Sequence, residues 1–225
     1  MRMGDLPITP DGIELIRRTE GLTLVGHDGL ELRGDFARLL PRLRPSALRG
    51  ELLVRAARVK GVPSPRVVDA TAGLGEDSFL LAATGFTVTL YERDAVIAAL
   101  LSDALERAQR DEDLCEIARR MTLVEGDGEA ALRAMKASPE TSPDVVYLDP
   151  MFPERRKSAA VKKKLQLMQL LEQPCVDERE FLDAAFEASP RKIVVKRPAK
   201  GPHLADAKPS YALTGKAVRF DVYVL

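Results

Sequence analysis

Short apolar runs alternate with longer amphipathic runs along residues 66–197. The short runs are rich in Val, Leu and Tyr and predict β-strands, whereas apolar residues at three- and four-residue spacing predict helices. Strands are predicted at 66–70, 86–92, 121–126, 144–149 and 192–197. Helices are predicted at 77–85, at 94–110 with Asp94 as its N-cap, at 128–137, around 158–171 and at 177–188. This alternation predicts a parallel, doubly wound sheet with helices on both faces.

The two ends of the chain depart from the alternation. Residues 211–215 and 218–225 are β-type runs separated only by a short turn, which predicts a closing antiparallel hairpin. Near the N-terminus, GLTLVG (21–26) and LELRG (30–34) predict two short strands that pair through a turn at 28–29. The run PSALRGELLVRAARVKG (45–61) predicts a helix that leads into the first parallel strand. We therefore expect an N-terminal extension over residues 1–66 and one α/β domain over residues 67–225.

The composition is that of a folded protein, since 45% of the 225 residues are hydrophobic. No apolar run approaches the roughly 20 residues needed to span a bilayer. The N-terminal run MRMGDLPITPDG lacks the apolar centre of a signal peptide, which predicts a soluble cytoplasmic protein without membrane contact. Cys115 and Cys175 show no CxxC or histidine spacing, so the sequence indicates neither a disulfide framework nor a metal site.

Charge is distributed unevenly along the chain, although the formal net charge is zero. Residues 1–66 carry 12 basic and 8 acidic side chains, residues 67–150 carry 7 and 17, and residues 151–225 carry 15 and 9. The middle third is thus at −10, between flanks at +4 and +6. A nucleic acid backbone responds to local potential and not to the total, so the basic flanks are compatible with an RNA partner. Ordinary solvated faces would give the same counts.

The run DATAGLGEDS (69–78) follows the first parallel strand and opens a helix. Gly73 and Gly75 allow the backbone to turn sharply and a ligand to approach it closely. A dinucleotide-binding fingerprint would have Gly or Ala where this run ends in serine, and Glu76 and Asp77 would repel a pyrophosphate. The same acids suit the positive sulfonium and ammonium groups of S-adenosylmethionine. The loop therefore favours that cofactor over NAD.

Polar residues also follow the second and third parallel strands. Glu92 ends the second strand, where a carboxylate can accept hydrogen bonds from ribose hydroxyls, and Arg93 follows it. Asp127 and Gly128 form a small acidic turn after the third strand, suited to an adenine amino group. Taken singly, these acids are equally typical of helix caps or of a solvated surface. Their joint placement at the carboxyl ends of successive strands favours a ligand site.

The fourth parallel strand runs directly into Asp149, Pro150, Met151 and Phe152. This tetrapeptide resembles the signature of enzymes that methylate exocyclic amines of bases, with methionine in place of a second proline. Proline fixes the turn, so that the Asp149 carboxylate and the Pro150 carbonyl can point at one NH₂ group, and Phe152 can stack on the base. We predict Asp149, Pro150 and Phe152 to be the catalytic residues.

Several longer stretches resemble one family, the RsmJ-type 16S ribosomal RNA guanine-N2 methyltransferases. The matching stretches are LRGELLVRAARVKG (48–61), VVDATAGLGEDSFLLA (67–82), VTLYERDAVIAALLSDALERA (88–108), VVYLDPMFPERRKSAAVKKK (145–164), IVVKRP (193–198) and RFDVY (219–223). Together they span most of residues 31–225 in the family's order.

The resemblance implies a Rossmann-like class I methyltransferase fold, with a mostly parallel seven-stranded sheet and a C-terminal antiparallel hairpin. It also implies S-adenosyl-L-methionine as cofactor, no metal, and methylation of a guanosine N2 amine in 16S ribosomal RNA or in the small ribosomal subunit. The expected cofactor-binding residues are Asp69, Gly73, Gly75, Glu76, Asp77, Glu92, Arg93, Asp127, Gly128 and Asp149. The family commonly has a basic residue in place of Glu76 and small hydroxyl residues in place of Asp127 and Gly128.

Basic residues cluster next to the predicted transfer site, and we expect them to contact RNA phosphates. They are Arg49, Arg155, Arg156, Lys157, Lys162, Lys163, Lys164, Lys196 and Arg197. Three alternatives remain open from the residues alone. They are methylation of adenine in DNA or of an amine in another RNA, a non-catalytic RNA-binding module of the same fold, and NAD-dependent oxidoreduction. The glycine loop disfavours the last of these, and an intact Asp-Pro-Met-Phe run disfavours the second.

Overall fold

The computed structural model describes residues 6–10, 12–27, 29–135, 142–150, 167, 171 and 177–225. A three-stranded antiparallel sheet lies near the N-terminus, in the order β1–β2–β3. Its strands are β1 (Ile13–Arg18), β2 (Gly21–Gly26) and β3 (Glu31–Leu32). The strand predicted at 21–26 is thus confirmed. The second predicted strand is reduced to two residues, and β1 is an addition that the sequence patterns did not predict.

Three short helices lead from this sheet to the main sheet. A 3-10 turn (Phe36–Leu39) precedes α1 (Leu40–Leu43), α2 (Pro45–Gly50) and α3 (Leu52–Ala57). The prediction of one continuous helix over 45–61 is wrong, because the backbone of Glu51 is extended, with φ −62° and ψ 125°. Arg42 donates two hydrogen bonds to the Glu51 carboxylate, from Nε to Oε1 at 2.8 Å and from Nη2 to Oε2 at 3.0 Å. This bidentate ion pair joins α1 to the break between α2 and α3.

The main sheet has seven strands in the order β6–β5–β4–β7–β8–β10–β9. The strands are β4 (Arg66–Asp69), β5 (Thr87–Glu92), β6 (Met121–Glu125), β7 (Val145–Leu148), β8 (Lys192–Pro198), β9 (Tyr211–Thr214) and β10 (Val218–Val224). The first five strands in this order are parallel, whereas β10 runs antiparallel to both β8 and β9. The predicted parallel sheet with a closing antiparallel hairpin is confirmed.

Helices cover both faces of this sheet. They are α4 (Glu76–Ala83), α5 (Ala95–Ala108), α6 (Cys115–Ala118), α7 (Gly128–Met135) and α8 (Glu178–Glu187). Asp94 caps α5 as predicted, since its Oδ1 accepts hydrogen bonds from the backbone N–H groups of Val96 and Ile97. The helix predicted around 158–171 falls largely outside the described residues. Within the described ranges, no helix is both long and apolar enough to cross a bilayer.

The core has three parts. One face of the main sheet packs on α3, α4 and α5, where the rings of Phe36 and Phe79 stack with centroids 4.2 Å apart. The opposite face packs on α7 and α8. The N-terminal sheet packs on α5, and the backbone N–H of Leu22 donates to Asp103 Oδ2 at 3.0 Å. The extension over residues 1–66 therefore shares apolar contacts with the helices of the main sheet.

A buried ion pair fixes the loop that follows β8. The Asp221 side chain is fully buried, and its oxygens contact Arg219 Nε at 2.7 Å and His203 Nδ1 at 2.7 Å. Arg219 Nη1 also donates to the carbonyls of Ala199 and Gly201. Burial raises the pKa of Asp221, but the hydrogen bonds from Arg219 and His203 outweigh burial and hold this pKa below the usual 3.8.

We expect Asp221→Asn to lower the free energy of unfolding at pH 7 by about 2 kcal/mol, because it removes a buried charged acceptor from its two donors, Arg219 and His203. A carboxylate with a lowered pKa contributes stability that is complete above its unfolded pKa and is lost as the pH falls through its folded pKa. The difference between the wild type and the variant in urea unfolding should therefore shrink below about pH 4. Asp206→Asn, an exposed change in the same loop, is the control, and equal effects of the two variants at pH 7 would contradict this account.

Candidate active site

The loop between β4 and α4 is held in place by hydrogen bonds from neighbouring strands. The backbone N–H groups of Ala70 and Ala72 donate to the carbonyls of Tyr147 on β7 and Tyr91 on β5, at 3.2 and 3.1 Å. Gly75 stands just before α4 with φ +73°, a left-handed conformation that favours glycine. Gly73 also has a positive φ, of 53°. The predicted glycine loop thus forms a fixed turn above the carboxyl ends of three adjacent strands.

Asp69 lies beneath this loop and not in it. Its side chain is buried, and it accepts hydrogen bonds from Ser78 Oγ at 2.6 Å and from the Thr71 backbone N–H at 3.0 Å. Burial raises the pKa of Asp69 to about 7, despite these two donors. Asp69 therefore ties the loop to the first turn of α4, and its buried oxygens support the backbone that a ligand would meet.

Glu92 forms a second bracket for the loop from the end of β5. Its Oε2 accepts the Gly73 N–H at 2.8 Å and its Oε1 accepts the Asp94 N–H at 2.9 Å. Each carboxylate oxygen can accept a second hydrogen bond, so the predicted contact with ribose hydroxyls is compatible with the hydrogen bonds from Gly73 and Asp94. Burial raises the pKa of Glu92. Arg93 follows at the surface.

The turn after β6 approaches the same loop. Asp127 is exposed, and its Oδ1 accepts the Ala130 N–H at 2.9 Å, so it caps α7. Capping was one of the two roles that the sequence left open for this residue. Gly128 is buried, and a Cβ there would overlap the carbonyl oxygen of Ala70 and lie 2.8 Å from the Ala70 Cβ. The first turn of α7 thus packs directly on the glycine loop.

Asp149 emerges from the end of β7 beside the loop. Its backbone N–H donates to Thr71 Oγ1 at 2.7 Å, and its Oδ2 lies 2.9 Å from Lys196 Nζ. The Asp149 side chain is 37% exposed, and Pro150 behind it is buried. Phe152 lies outside the described residues. Of the three predicted catalytic residues, the structure therefore places two at the carboxyl edge of the sheet.

Lys196 connects Asp149 to a second carboxylate. Its Nζ lies 2.6 Å from Asp77 Oδ2 in the first turn of α4, and Asp77 also accepts a hydrogen bond from Tyr147 Oη at 2.6 Å. Burial raises the pKa of Asp77, but Lys196 and the Tyr147 hydroxyl outweigh burial, and the net pKa is lowered. Burial of Lys196 lowers its pKa, and the two carboxylates raise it above the usual value. We call these four side chains, Asp77, Tyr147, Asp149 and Lys196, the carboxylate–lysine cluster.

The sequence predictions did not assign Thr71 and Tyr147, and they gave Lys196 a different role. Tyr147 lies in the predicted apolar strand, two positions before Asp149, and alternation along the strand therefore directs both side chains to the same face. The register pairs Leu148 with Val195, so the next positions, Asp149 and Lys196, are neighbours at the strand ends. Counting residues along the two predicted strands therefore predicts that Asp149 and Lys196 lie side by side.

The basic residues predicted to contact RNA fall into three groups. Arg49 is exposed on α2, as an RNA contact requires. Lys196 lies within the carboxylate–lysine cluster, and Arg197 points to the other face of β8 with only 2% of its side chain exposed. Arg197 Nε donates to the Pro202 carbonyl at 2.8 Å, so both residues stabilise the protein itself in this structure and neither offers its charge to a phosphate. The remaining predicted contacts lie outside the described residues: Arg155, Arg156, Lys157, Lys162, Lys163 and Lys164.

Metal-ligating side chains do not converge in the part of the chain that the structure describes. No group of three or more His, Cys, Asp or Glu residues is arranged there to hold an ion. Cys115, the one cysteine within the described ranges, is a free thiol. The carboxyl edge of the sheet carries several carboxylates, the Lys196 ammonium group that two of them share, and the glycine turn.

Comparison with known protein families gives one match over most of the chain. A family model described as "Putative SAM-dependent methyltransferase" matches residues 11–225. The ribosomal RNA small subunit methyltransferase J of Thioalkalivibrio sulfidiphilus is 51% identical over 178 residues, which are 79% of this chain and 69% of that protein. The protein of the same name from Pseudomonas paraeruginosa is 48% identical over 77% of this chain and 66% of its own length. That from Chromohalobacter salexigens is 41% identical over 94% of this chain and 85% of its own.

Solved structures show the same fold. A SAM-dependent methyltransferase from Neisseria gonorrhoeae superposes with a TM-score of 0.77 at 34% identity, covering 96% of this chain and 85% of that one. The rRNA methyltransferase aviRa from Streptomyces viridochromogenes superposes with a TM-score of 0.52 at 19% identity, covering 80% and 84%. The second likeness concerns the fold alone. The class I methyltransferase fold that the sequence resemblance implied is therefore confirmed.

Proposed function

Since the chain belongs to the SAM-dependent methyltransferases, and among them to the ribosomal RNA small subunit methyltransferase J family, we propose that it methylates a guanosine N2 amine in 16S ribosomal RNA. S-adenosyl-L-methionine is its methyl donor. The observation that carries the choice of an exocyclic amine is the position of Asp149, at the carboxyl end of β7 beside the glycine loop.

The residues of the site fit this cofactor. Glu92 stands at the end of β5 with its oxygens beside the Gly73 backbone, where two ribose hydroxyls can share it. Glu76 and Asp77 make the first turn of α4 acidic, which repels a pyrophosphate and tolerates a cationic ligand. Asp127 caps α7 at the end of β6, so we expect contacts there to involve the backbone of the turn. When bound, the cofactor supplies a methyl group on a positively charged sulfur.

Asp149 and Pro150 would act on the substrate amine. The lone pair of the guanine N2 atom is delocalised into the ring, which makes the amine a poor nucleophile. One N–H donating to the Asp149 carboxylate and the other to the Pro150 carbonyl would favour a more pyramidal nitrogen and aim its lone pair at the methyl carbon. A cofactor held by the glycine loop and Glu92 would supply the methyl group, and the methylated amine would release one proton to solvent, so that no strong base is required. Positioning and electrostatics therefore account for most of the catalysis.

The basic residues after Phe152 would hold the RNA. We expect charge reversal of Lys162, Lys163 and Lys164 to glutamate to weaken binding of 16S RNA at least about tenfold. The variant loses up to three phosphate contacts and, with them, the counterion release that favours binding. The slope of log K against log salt should flatten by about two units. Fluorescence anisotropy at several salt concentrations measures both quantities, and calorimetry should show unchanged cofactor binding.

The matched control reverses three exposed cations near the amino ends of the parallel strands, at the edge opposite the candidate active site. Lys60 lies in the connection that precedes β4, and Arg110 and Arg119 lie in the connection that precedes β6. Their reversal changes the net charge of the protein by the same amount. If both triple variants flatten the salt dependence equally, the effect comes from net charge and the assignment of Lys162–Lys164 is wrong.

A panel of substrates tests the proposed activity. The wild-type protein should transfer labelled methyl groups to 16S ribosomal RNA, as naked RNA or within small-subunit particles, and not to DNA or transfer RNA. Predominant labelling of DNA would instead indicate an adenine-directed amine methyltransferase. Cofactor binding without labelling of any nucleic acid would contradict the proposal.

A further inference from the structure

The ammonium group of Lys196 stands between two carboxylates at the point where we place the substrate amine. Its Nζ is 2.9 Å from Asp149 Oδ2 and 2.6 Å from Asp77 Oδ2, and 26% of the Lys196 side chain is exposed. The lysine projects from β8, and Asp149 follows β7, its parallel neighbour. Because Lys196 lies within β8 and Asp149 directly follows the last residue of β7, this contact has little freedom to drift.

One positive charge here lies between two negative ones. Two carboxylates in one enclosure cannot both stay ionised at little cost unless a cation lies between them. Burial raises the pKa of Asp149, and Lys196 opposes that rise, while Asp77 adds to it. Without Lys196, the proton affinity of the two carboxylates, Asp77 and Asp149, would increase. A protonated Asp149 would no longer offer a negatively charged oxygen to the substrate N–H.

Within the described ranges, further charged and titratable groups surround the cluster. Asp69 on β4 and Tyr147 on β7 raise the proton affinity of the site or donate to it, and Arg42 from α1 and Arg197 on β8 lower it. Arg42 is paired with Glu51, and Arg197 is directed to the opposite face, 3.5 Å from Glu178. Among the residues that the structure describes, Lys196 is therefore the cation in direct contact with both carboxylates.

We propose that Lys196 is a positioning residue for methyl transfer. Its ammonium group holds Asp149 Oδ2 and keeps the carboxylate charged, so that the other carboxylate oxygen can accept a hydrogen bond from the substrate amine. This inference rests on the proposed function, since it assumes that Asp149 receives an N–H of the methylated base. Tyr147 and Asp77 complete the device: the Tyr147 hydroxyl and Lys196 both bind Asp77, which fixes the direction of the lysine side chain.

A purely structural role for Lys196 predicts a different pH dependence. If the lysine only neutralised Asp77 for folding, its removal would lower activity by the same factor at every pH at which the protein is folded. If it keeps Asp149 ionised, its removal shifts the acid limb of the kcat/KM profile upward, and activity recovers at alkaline pH. The shape of the profile therefore separates the two roles.

The experiment measures kcat/KM for 16S RNA between pH 5.5 and 9.5, at saturating cofactor, for the wild type and three variants. Lys196→Met should displace the acid limb upward by at least about one pH unit, which is about a tenfold loss of rate on the acid side. Lys196→Arg retains the charge and should keep the wild-type limb, whatever its maximal rate. Lys192→Met is the matched control, because Lys192 lies on the same strand and donates to the Arg58 carbonyl at 2.7 Å and to Tyr211 Oη.

Each outcome decides the matter. An acid limb that stays at the wild-type pH in Lys196→Met overturns the inference, as does an equal displacement in Lys192→Met. If circular dichroism shows that Lys196→Met does not fold, the double variant Asp77→Asn/Lys196→Met removes the unbalanced charge, and its limb should still lie above that of the wild type. A wild-type protein that transfers no methyl group to RNA overturns the proposed function itself, whereas an active wild type with an unmoved limb overturns this inference alone.

Discussion

Replacing Asp149 with alanine is expected to reduce the single-turnover rate of methyl transfer by about 10²- to 10³-fold, the loss typical when one preorganised hydrogen-bonding group is removed from an active site. The carboxylate would receive an N–H of the substrate amine, and Asp149 is the one carboxylate among the described residues that directly follow β7. The fold should be retained, because the contact of the Asp149 backbone N–H with Thr71 Oγ1 does not depend on the side chain. Rapid-quench measurement with labelled cofactor gives the rate.

Asp183→Ala is the matched control for this loss. Asp183 is an exposed aspartate on α8, so its removal changes net charge equally and leaves the site intact. A rate for Asp149→Ala within about threefold of the wild type would show that the carboxylate makes no interaction specific to the transition state. Calorimetric titration of the cofactor into each variant separates loss of transfer from loss of cofactor binding.

Replacing Gly128 with alanine is expected to destabilise the protein by about 3 kcal/mol, near the upper end of overpacking effects, and to weaken cofactor binding at least tenfold. The new methyl group would overlap the Ala70 carbonyl oxygen and lie 2.9 Å from the Ala70 carbonyl carbon. These are backbone atoms of the glycine loop, so relief requires that the loop itself move. Alanine has the higher intrinsic helix propensity, which would by itself favour the variant, so a destabilisation isolates the steric effect.

Gly126→Ala is the control within the same turn. A Cβ at Gly126 would meet no atom within 4 Å, and the substitution is the same. Urea unfolding and cofactor titration should show Gly126→Ala close to the wild type. Equal stability and equal affinity in the two variants would contradict the packing of α7 against the loop.

The parallel sheet was predictable because each of its strands is a short apolar run that a helical run follows or precedes, and both patterns are local. The N-terminal region was less predictable. In β1, the run IELIRR carries buried residues only at its start and ends in two arginines, so its alternation is weak, and pairing with β2 stabilises it. The helix over 45–61 breaks at Glu51, whose carboxylate binds Arg42 nine residues earlier. Hydrophobic periodicity carries no information about such a contact.

The candidate site shows the same division between local and long-range information. The positions of Glu92, Asp127 and Asp149 follow from strand ends, which the sequence predicts well. The roles of Lys196 and Arg197 depend on which face of β8 each occupies and on which residue of β7 lies opposite. Adjacent strand residues point to opposite faces, so two neighbouring basic residues that looked like one RNA-binding pair contact different partners, Asp149 and Glu178.

Methylation of the guanosine N2 amine is tested by nucleoside analysis of small-subunit ribosomal RNA after incubation with the wild-type protein and isotopically labelled S-adenosylmethionine. The RNA should come from cells that lack the chain, so that its target amine is unmodified. Digestion to nucleosides and mass spectrometry should place the label in N2-methylguanosine, and Asp149→Ala should slow the appearance of that signal by the factor expected for its transfer rate. Label in N6-methyladenosine or in another nucleoside, or no labelled N2-methylguanosine with active cofactor-bound protein, would contradict the account.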